Sequence, residues 1–247
     1  MISLPLEVQL RILKYLNFNE LISIKQTNSY FCNLINKYEG ELARRKFDGL
    51  SICNKKELAY SEKKRASIEL RSTNFEFTLD DQLKEKWQVA IDNSTRLFSH
   101  SGKKLFVCMR KTGDEDSPYY ILKLPHYPKN LKQMIIIRCW LERLFKCDFD
   151  CADFYSSVFN PEMINILFDN DKSIRAQFNI KNVSLHAGKI SIENILEFYL
   201  NYLSNSEYLY INLKYVFDIT DHHINILFNI IINKAIKCQK LLLRVSR

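Results

Sequence analysis

The sequence predicts a two-part protein of the α+β or α/β class, in which a small three-helix unit precedes a body of alternating helices and strands. Three short apolar stripes at helical spacing fall within the first 47 residues. From about residue 130 onward, helical stripes alternate with runs rich in β-branched and aromatic residues. This alternation with short turns favours right-handed crossovers into a mostly parallel, open sheet backed by helices on one side.

Overall composition places the 247-residue chain among globular proteins, with 47% hydrophobic and 26% charged residues. No apolar stretch approaches the roughly 18 residues that cross a bilayer. The start lacks the pattern of a secretory signal, so we expect a cytoplasmic or nuclear location. Seven cysteines, an odd number, are then better interpreted as reduced thiols than as a disulfide framework.

The net charge of +8 is compatible with two interpretations. A basic chain suits a nucleic-acid partner or an acidic membrane surface. The abundance of Asn, Ile, Lys and Tyr beside only five Gly and five Pro is also what a base-composition bias would produce without selection for charge. We favour the second interpretation, so the charge alone assigns no partner.

The first 47 residues predict three short helices. Pro5 lies near the first turn of the first helix, which ends at Leu16. Asn17, followed three positions later by Glu20, forms a capping-box variant that begins the second helix, and Asn28 can cap the third. Apolar residues at helical spacing form one face of each helix: Val8, Ile12, Leu13 and Leu16, then Leu21, Ile22 and Ile24, then Phe31, Leu34, Ile35 and Tyr38.

These three helices in register resemble the F-box motif. The resemblance spans residues 3–35 and rests on Leu4-Pro5-x-Glu7, Ile12-Leu13-x-x-Leu16, Asn17-x-x-Glu20-Leu21 and the closing Phe31. One departure is Thr27, where the family usually has Val. A unit this small buries little surface alone, which independently favours a partner.

The resemblance implies docking onto the Skp-type adaptor of a cullin-RING ubiquitin ligase. The candidate adaptor-contact residues are those that match the motif: Leu4, Pro5, Ile12, Leu13, Leu16, Leu21 and Phe31. The alternative is that they form an ordinary three-helix core, and some of them must do so. Separate measurements of binding and stability distinguish the two roles.

A basic segment over residues 48–72 is interpreted as a solvated linker or helix, because it carries many Lys and Arg and few apolar residues. A nuclear-localisation or nucleic-acid patch is the functional alternative. Beyond it, residues 73–247 form the predicted body. Strands are expected at 75–79, 105–110 and 119–124, a turn at 112–118, and a helix capped by Asp80 or Asp81 that carries Leu83 and Trp87.

The tripeptide Asn-Ile-Leu occurs at Asn165, Asn194 and Asn225, a separation of about thirty residues that is typical of structural repeats. Each copy is expected on a helix that is followed by a strand. The predicted strands are 178–185, 208–213 and 240–245, and a weaker unit has a helix at 131–145 and a strand at 148–154. We predict that the last three strands are neighbours in one parallel sheet.

Such a body resembles a degenerate leucine-rich solenoid, although it lacks the Leu-x-x-Leu-x-Leu-x-x-Asn repeat. A chain with an F-box and a Tyr- and Asn-rich body looks like a member of the expanded nematode F-box families. The solenoid-like form expected for the body offers a concave or rim surface suited to binding a protein.

Signatures of catalysis and of cofactor or metal binding are weak. The five glycines are too dispersed for a phosphate loop or dinucleotide fingerprint, and neither Gly-x-Ser-x-Gly nor His-Glu-x-x-His occurs. Cys139, Cys147 and Cys151 have near-ligand spacing but no second ligand pair, so buried thiols are favoured over a zinc site. We therefore expect no enzyme activity, no cofactor and no metal.

The sequence thus predicts a substrate-receptor subunit of a Skp-cullin-F-box ubiquitin ligase, with adaptor docking through the F-box and target binding through the body. A basic nucleic-acid-binding protein is the alternative from another class. A third possibility is an F-box that acts with its adaptor outside any ligase.

Overall fold

The computed structural model describes most of the chain, which divides into two compact units, Met1–Arg45 and Lys46–Arg247. The described residues are 4–54, 65–68, 77, 79–100, 105–111, 113, 119–155, 157–169, 171, 174–187, 192–204, 206–214, 216, 219–235 and 240–245.

The first unit contains helices α1 (Leu6–Lys14), α2 (Phe18–Lys25) and α3 (Ser29–Lys37), followed by a 3₁₀ turn (Glu39–Glu41). The predicted capping box is confirmed, because Asn17 Oδ1 accepts from the Glu20 N–H at 3.1 Å while Glu20 Oε2 accepts from the Asn17 N–H at 2.8 Å. Asn28 caps α3 by accepting from the Phe31 N–H at 2.9 Å. These two N-caps fix the starts of α2 and α3.

The second unit alternates strands and helices. Its elements are β1 (Arg45–Asn54), β2 (Arg65–Ile68), α4 (Asp81–Asp92), β3 (Leu105–Lys111), β4 (Tyr119–Leu122), α5 (Leu131–Phe145), β5 (Cys147–Phe154), α6 (Pro161–Phe168), β6 (Phe178–His186), α7 (Ile192–Tyr202), β7 (Leu203–Ser204), β8 (Tyr208–Leu213), α8 (Asp221–Ala235) and β9 (Lys240–Val245). Asp80 caps α4 by accepting from the Leu83 N–H at 2.8 Å, as predicted.

The described strands form one mixed sheet in the order β2-β4-β3-β1-β5-β6-β8-β9, with the short β7 paired to β6. Because the sheet is mixed, the prediction of a mostly parallel, leucine-rich-repeat-like sheet is wrong, and the departure lies in the first half of the body. There β3 runs antiparallel to both β1 and β4. The connection between β3 and β4 is short and allows a hairpin but no crossover, which is the physical reason that these two strands are antiparallel.

The second half follows the predicted helix-strand alternation. β5, β6, β8 and β9 are successive parallel neighbours, which confirms the prediction for the last three long strands. Helices α6, α7 and α8 connect them, and consecutive helices pack against each other. Each of these helices connects one strand to the next strand in the same direction across the sheet. Right-handed crossovers therefore place all three helices on one face. Each Asn-Ile-Leu copy lies on one of them.

One face of the parallel half is buried and the other is not. Along β5, β6 and β8, buried apolar residues alternate with half-buried or exposed polar ones. The core of the second unit is rich in aromatic rings; Phe159, for example, stacks on Phe178 at 5.3 Å. The opposite, open face carries Asp, Asn, Ser and Tyr side chains.

Residues 48–54, which the sequence interpretation assigns to a linker or helix, instead lie in β1 beside β3. The reason is the spacing of Phe47, Leu50 and Ile52, whose side chains enter the core of the second unit. Most residues of the remaining basic segment, of the strand expected at 75–79 and of the turn expected at 112–118 lie outside the described residues. Within the described part of the chain, no helix combines the length and the apolar character needed to cross a membrane.

Candidate protein-docking surface

The first unit has a core of its own, built from one face of each helix. Leu13 of α1 is 0% exposed, Leu21 of α2 is 2% exposed and Phe31 of α3 is 7% exposed. Leu34, Ile35 and Leu42 complete this cluster. Three of the seven candidate contact residues therefore hold the helices together with their side chains.

The opposite side of α1 carries an apolar stripe that this core does not use. Val8, Ile12 and Tyr15 lie at positions i, i+4 and i+7, so they share one helix face. Leu4, two residues before the helix, is a further exposed apolar residue. The exposed fractions are 38% for Leu4, 42% for Val8 and 81% for Tyr15, while Ile12 is half-buried. We call Leu4, Val8, Ile12 and Tyr15 the docking stripe.

A shallow groove of about 460 Å³ lies at the start of α2. Leu16 and Ile24 supply its apolar lining, and both also pack against the three-helix core. Asn17, Asn19, Glu20 and Ser23 supply its polar rim. The groove can accept an apolar side chain from a partner while its rim offers hydrogen bonds.

Gln9 fixes the segment that precedes α1, although sequence reasoning did not single it out. Its side chain is 2% exposed, donates from Nε2 to the Leu4 carbonyl at 2.6 Å and accepts at Oε1 from the Tyr30 hydroxyl at 2.8 Å. This bridge ties Leu4 and Pro5 to α3. The sequence signal that could have identified Gln9 is its spacing of four residues from Leu13, which places a polar residue on the buried face of α1.

Of the predicted contact residues, Leu4 and Pro5 are exposed, Ile12 and Leu16 are half-buried, and Leu13, Leu21 and Phe31 are buried. The exposed apolar residues Leu6, Val8, Tyr15 and Tyr30 were not among the candidates. A tyrosine at helical spacing from Val8 and Ile12 was the signal for Tyr15.

A second candidate surface lies at the carboxyl ends of the parallel strands of the body, where α/β sheets commonly bind ligands. The His186 ring, at the end of β6, stacks on Tyr155 with ring centres 4.0 Å apart and meets the edge of Tyr210 at 5.5 Å. Asn212 Nδ2 lies 3.4 Å from His186 Nδ1. Tyr155 is 60% exposed, so the cluster presents an aromatic surface to solvent.

Burial dominates the titration of this aromatic cluster. It lowers the pKa of His186, and the nearby Asp153 carboxylate opposes that shift. It also raises the pKa of the Tyr155 hydroxyl, and the charges of Asp153 and Tyr210 add to the increase. At neutral pH the His186 imidazole and the Tyr155 phenol are therefore both uncharged, which suits packing and hydrogen bonding.

The cysteines with near-ligand spacing make separate contacts. Cys147 Sγ donates to the Arg143 carbonyl at 3.2 Å, and Cys151 Sγ donates to the Asp48 carbonyl at 2.9 Å. Burial raises the pKa of the Cys139 and Cys151 thiols, which disfavours the thiolate that a metal needs. Among the described residues, no group of three or more His, Cys, Asp and Glu side chains could hold a metal ion.

Comparison with protein families assigns both parts of the chain. Residues 1–40 match the F-box domain, and residues 68–214, more than half of the chain, match a domain of unknown function (DUF8381). The chain is an F-box protein of the DUF8381 family. No curated protein and no solved structure matches it.

The F-box assignment agrees with the three helices and the core of the first unit. It supports a role for this F-box protein as an adaptor subunit of a Skp-cullin-F-box ubiquitin ligase, bound to a Skp-type adaptor. The DUF8381 match runs from the last residue of β2 to the residue after β8, and it includes Tyr155, His186 and Asn212.

Proposed function

We propose that this F-box protein is a substrate receptor: the docking stripe and the adjacent groove bind the Skp-type adaptor, and the body holds a target protein for ubiquitin transfer. The observation that carries the proposal is that the first unit has two separate sets of apolar side chains, one in its core and one exposed. Leu13, Leu21 and Phe31 occupy its core, whereas Leu4, Val8 and Tyr15 are apolar and exposed without a role in that core. Apolar surface of this kind is stabilised by burial against a partner.

The proposed adaptor surface has the composition of a binding hot spot. Its centre is Ile12 with the aromatic Tyr15, and its edge has the polar rim formed by Asn17, Asn19 and Glu20. An apolar centre with aromatic anchors and a polar rim is typical of protein interfaces. Leu4 and Pro5 extend the apolar part because Gln9 holds their segment in place.

For the body, we propose target binding at the aromatic cluster of Tyr155, His186 and Tyr210. The cluster lies at the sheet edge where parallel strands end, and Tyr155 offers a rigid, exposed aromatic anchor. In this proposal the protein acts by binding alone, and the ligase partners perform the chemistry.

The direct experiment is co-purification of the full chain with a purified Skp-type adaptor, followed by mass spectrometry of the complex. We expect a stable complex, and failure to form one would overturn the proposal. Addition of the cullin subunit then separates a ligase role from an F-box that acts with the adaptor alone. In the second case, the adaptor complex would form but not bind the cullin.

A matched pair of variants tests the role of the body. The double variant Tyr155→Ala with Tyr210→Ala is expected to retain adaptor binding. Proteins that are ubiquitylated in the presence of the wild-type receptor should no longer be ubiquitylated in the presence of this variant. Val89→Ala, at a 58% exposed position of α4, serves as the control that should retain both. Equal target sets for all three proteins would contradict target binding at this cluster.

A further inference from the structure

The last helix-strand pair of the body ends the parallel array with an apolar surface. β9 is the final strand in the sheet order and pairs with β8 on one side. Within the described part of the chain, its other edge has no strand partner. Four apolar residues of α8, Ile224, Phe228, Ile231 and Ile232, are 43–59% exposed, so this apolar face of the helix lies largely outside the core.

The direction of this face follows from the helical geometry. His222 points toward α7, because its Nε2 lies 3.3 Å from Glu193 Oε1, and Ile230, 1% exposed, points into the body. At about 100° per residue, the four exposed residues lie about 80° to 180° around the helix from His222. They therefore point away from α7, to the side where a further helix of the array would pack.

The free edge of β9 continues the same surface. The Lys240 N–H donates to the Glu207 carbonyl at 3.1 Å, so the backbone groups of Lys240 point toward the body. Because these groups alternate along a strand, those of Leu241, Leu243 and Val245 point outward. Leu241 and Leu243 are on the core face, opposite the buried Leu209 and Ile211 of β8, and Leu243 is 44% exposed.

We propose that this end of the body, α8 with β9, pairs with the same end of a second copy of the chain around a two-fold axis perpendicular to the sheet. Antiparallel pairing of the two β9 strands, centred on Leu243, joins the sheets of both copies. The outward backbone groups of each Leu243 then exchange two hydrogen bonds with the other Leu243. The exposed faces of the two α8 helices cover each other on the same side.

Side-chain chemistry selects both the register and the occupant. With Leu243 opposite Leu243, Leu241 lies opposite Val245 and Arg244 lies opposite Leu242, so apolar residues continue the core and no like charges meet. A shift that centres the pair on Leu242 would place Lys240 opposite Arg244, which is unfavourable. The surface is thus complementary to itself, as a two-fold interface requires.

The available area is sufficient for a specific dimer. Ile224, Phe228, Ile231, Ile232 and Leu243 are each 43–59% exposed. With roughly 200 Å² for a large side chain, they offer on the order of 500 Å² per copy, or about the 1,000 Å² in total that a specific interface needs.

Sedimentation equilibrium of the full chain tests the proposal independently of adaptor binding. We expect a species of twice the 29.3 kDa chain mass. Phe228→Glu should weaken dimerisation at least about tenfold, whereas Val89→Glu, a control at a similarly exposed apolar position, should leave it unchanged. A monomer at all concentrations, or a dimer equally insensitive to both substitutions, would overturn the proposal.

Cysteine crosslinking tests the register itself. Mild oxidation of Leu243→Cys should produce a disulfide between the two introduced cysteines, because directly opposed residues of a hydrogen-bonded pair lie about 5.5 Å apart at Cα. Leu241→Cys is the matched control, since in this register the two copies of residue 241 are four residues apart along the strands. Crosslinking of Leu241→Cys rather than Leu243→Cys would contradict the proposed pairing.

Discussion

At the scale of single residues, neighbouring side chains of the F-box have different surroundings: one lies on the proposed adaptor surface and the next packs in the core. Ile12 lies on the docking stripe while Leu13 is fully buried, because consecutive helix residues point about 100° apart. The apolar pattern alone could predict that both residues contribute to apolar contacts, but not which of them packs in the core and which lies on the docking stripe. The role of Gln9 could not be predicted from the sequence, because it depends on hydrogen bonds with the Leu4 carbonyl and the Tyr30 hydroxyl. Neither bond follows from residue type.

Replacement of Gln9 by Ala tests the bridge beneath the docking stripe. The substitution leaves the Leu4 carbonyl without its buried donor, so the free energy of unfolding should fall by about 1–3 kcal/mol. Adaptor affinity should fall as well, because Leu4 and Pro5 lose their anchor. Chemical denaturation and adaptor titration measure the two effects.

Tyr30→Phe is the matched control, because it removes one contact of Gln9 and leaves the bond to Leu4 intact. It should affect adaptor affinity less than Gln9→Ala does. An equal or larger loss of affinity in Tyr30→Phe would show that the Leu4 bond is not what positions the stripe.

At the scale of elements, Arg138 joins α5 to the end of α6. Its guanidinium is 2% exposed and lies between the rings of Phe77 and Phe168, each 4.6 Å away. It donates to the Leu167 carbonyl and, at 2.5 Å, to Asp171 Oδ2. A positive charge at the carboxyl end of a helix also interacts favourably with the helix dipole.

Arg138→Met is expected to lower the free energy of unfolding by about 3 kcal/mol, because it removes the buried hydrogen bonds from Arg138 to the Leu167 carbonyl and to the Asp171 carboxylate. Arg138→Lys should recover little of this loss, since an ammonium lacks the planar shape that fits between two rings. Urea denaturation measures both variants. A loss below about 0.5 kcal/mol in Arg138→Met, the range of ordinary surface changes, would contradict this role.

The connection between β4 and α5 makes stability depend on pH. Burial, with the positive charges of Arg96 and His100, lowers the pKa of His126. Its ring stacks on Phe98 at 5.7 Å. The unfolded chain therefore takes up a proton at higher pH than the folded chain does, and stability is lost as pH falls below about 6.5.

His126→Phe should keep the ring stacking and reduce this pH dependence, measured as the difference in unfolding free energy between pH 7.5 and pH 5.5. His222→Gln, whose side chain is 63% exposed in the wild type, is the control expected to keep the dependence. His186 contributes in the same direction. Identical pH dependence in His126→Phe and the wild type would exclude a contribution from His126.

The elements predicted most accurately are those with local signals. The caps at Asn17, Asn28 and Asp80 and the three Asn-Ile-Leu helices follow from short-range chemistry and periodicity. The antiparallel half of the sheet did not follow, because the pairing of β1 with β3 joins residues more than fifty positions apart in sequence. No local pattern specifies such a pairing.

At the scale of the whole molecule, the chain combines a small adaptor-binding unit with a larger α/β body. The three-helix pattern predicted the first unit and its partner class. The open aromatic cluster at Tyr155, His186 and Tyr210 could not be predicted, since it forms only when three strands become neighbours. The exposure of the apolar residues on α8 could not be predicted either, because helical spacing does not show which apolar residues a neighbouring element covers.

The most direct test of the central claim is the affinity of the double variant Leu4→Ala with Pro5→Ala for a purified Skp-type adaptor, measured by calorimetry. Both residues are exposed and precede α1, so the melting temperature of the isolated chain should stay unchanged. Leu13→Ala provides the comparison, because truncation of this fully buried residue should cost about 2–5 kcal/mol of stability. We expect the double variant to bind about thirtyfold more weakly, which corresponds to a hot spot of about 2 kcal/mol. Unchanged affinity would contradict adaptor docking through this surface.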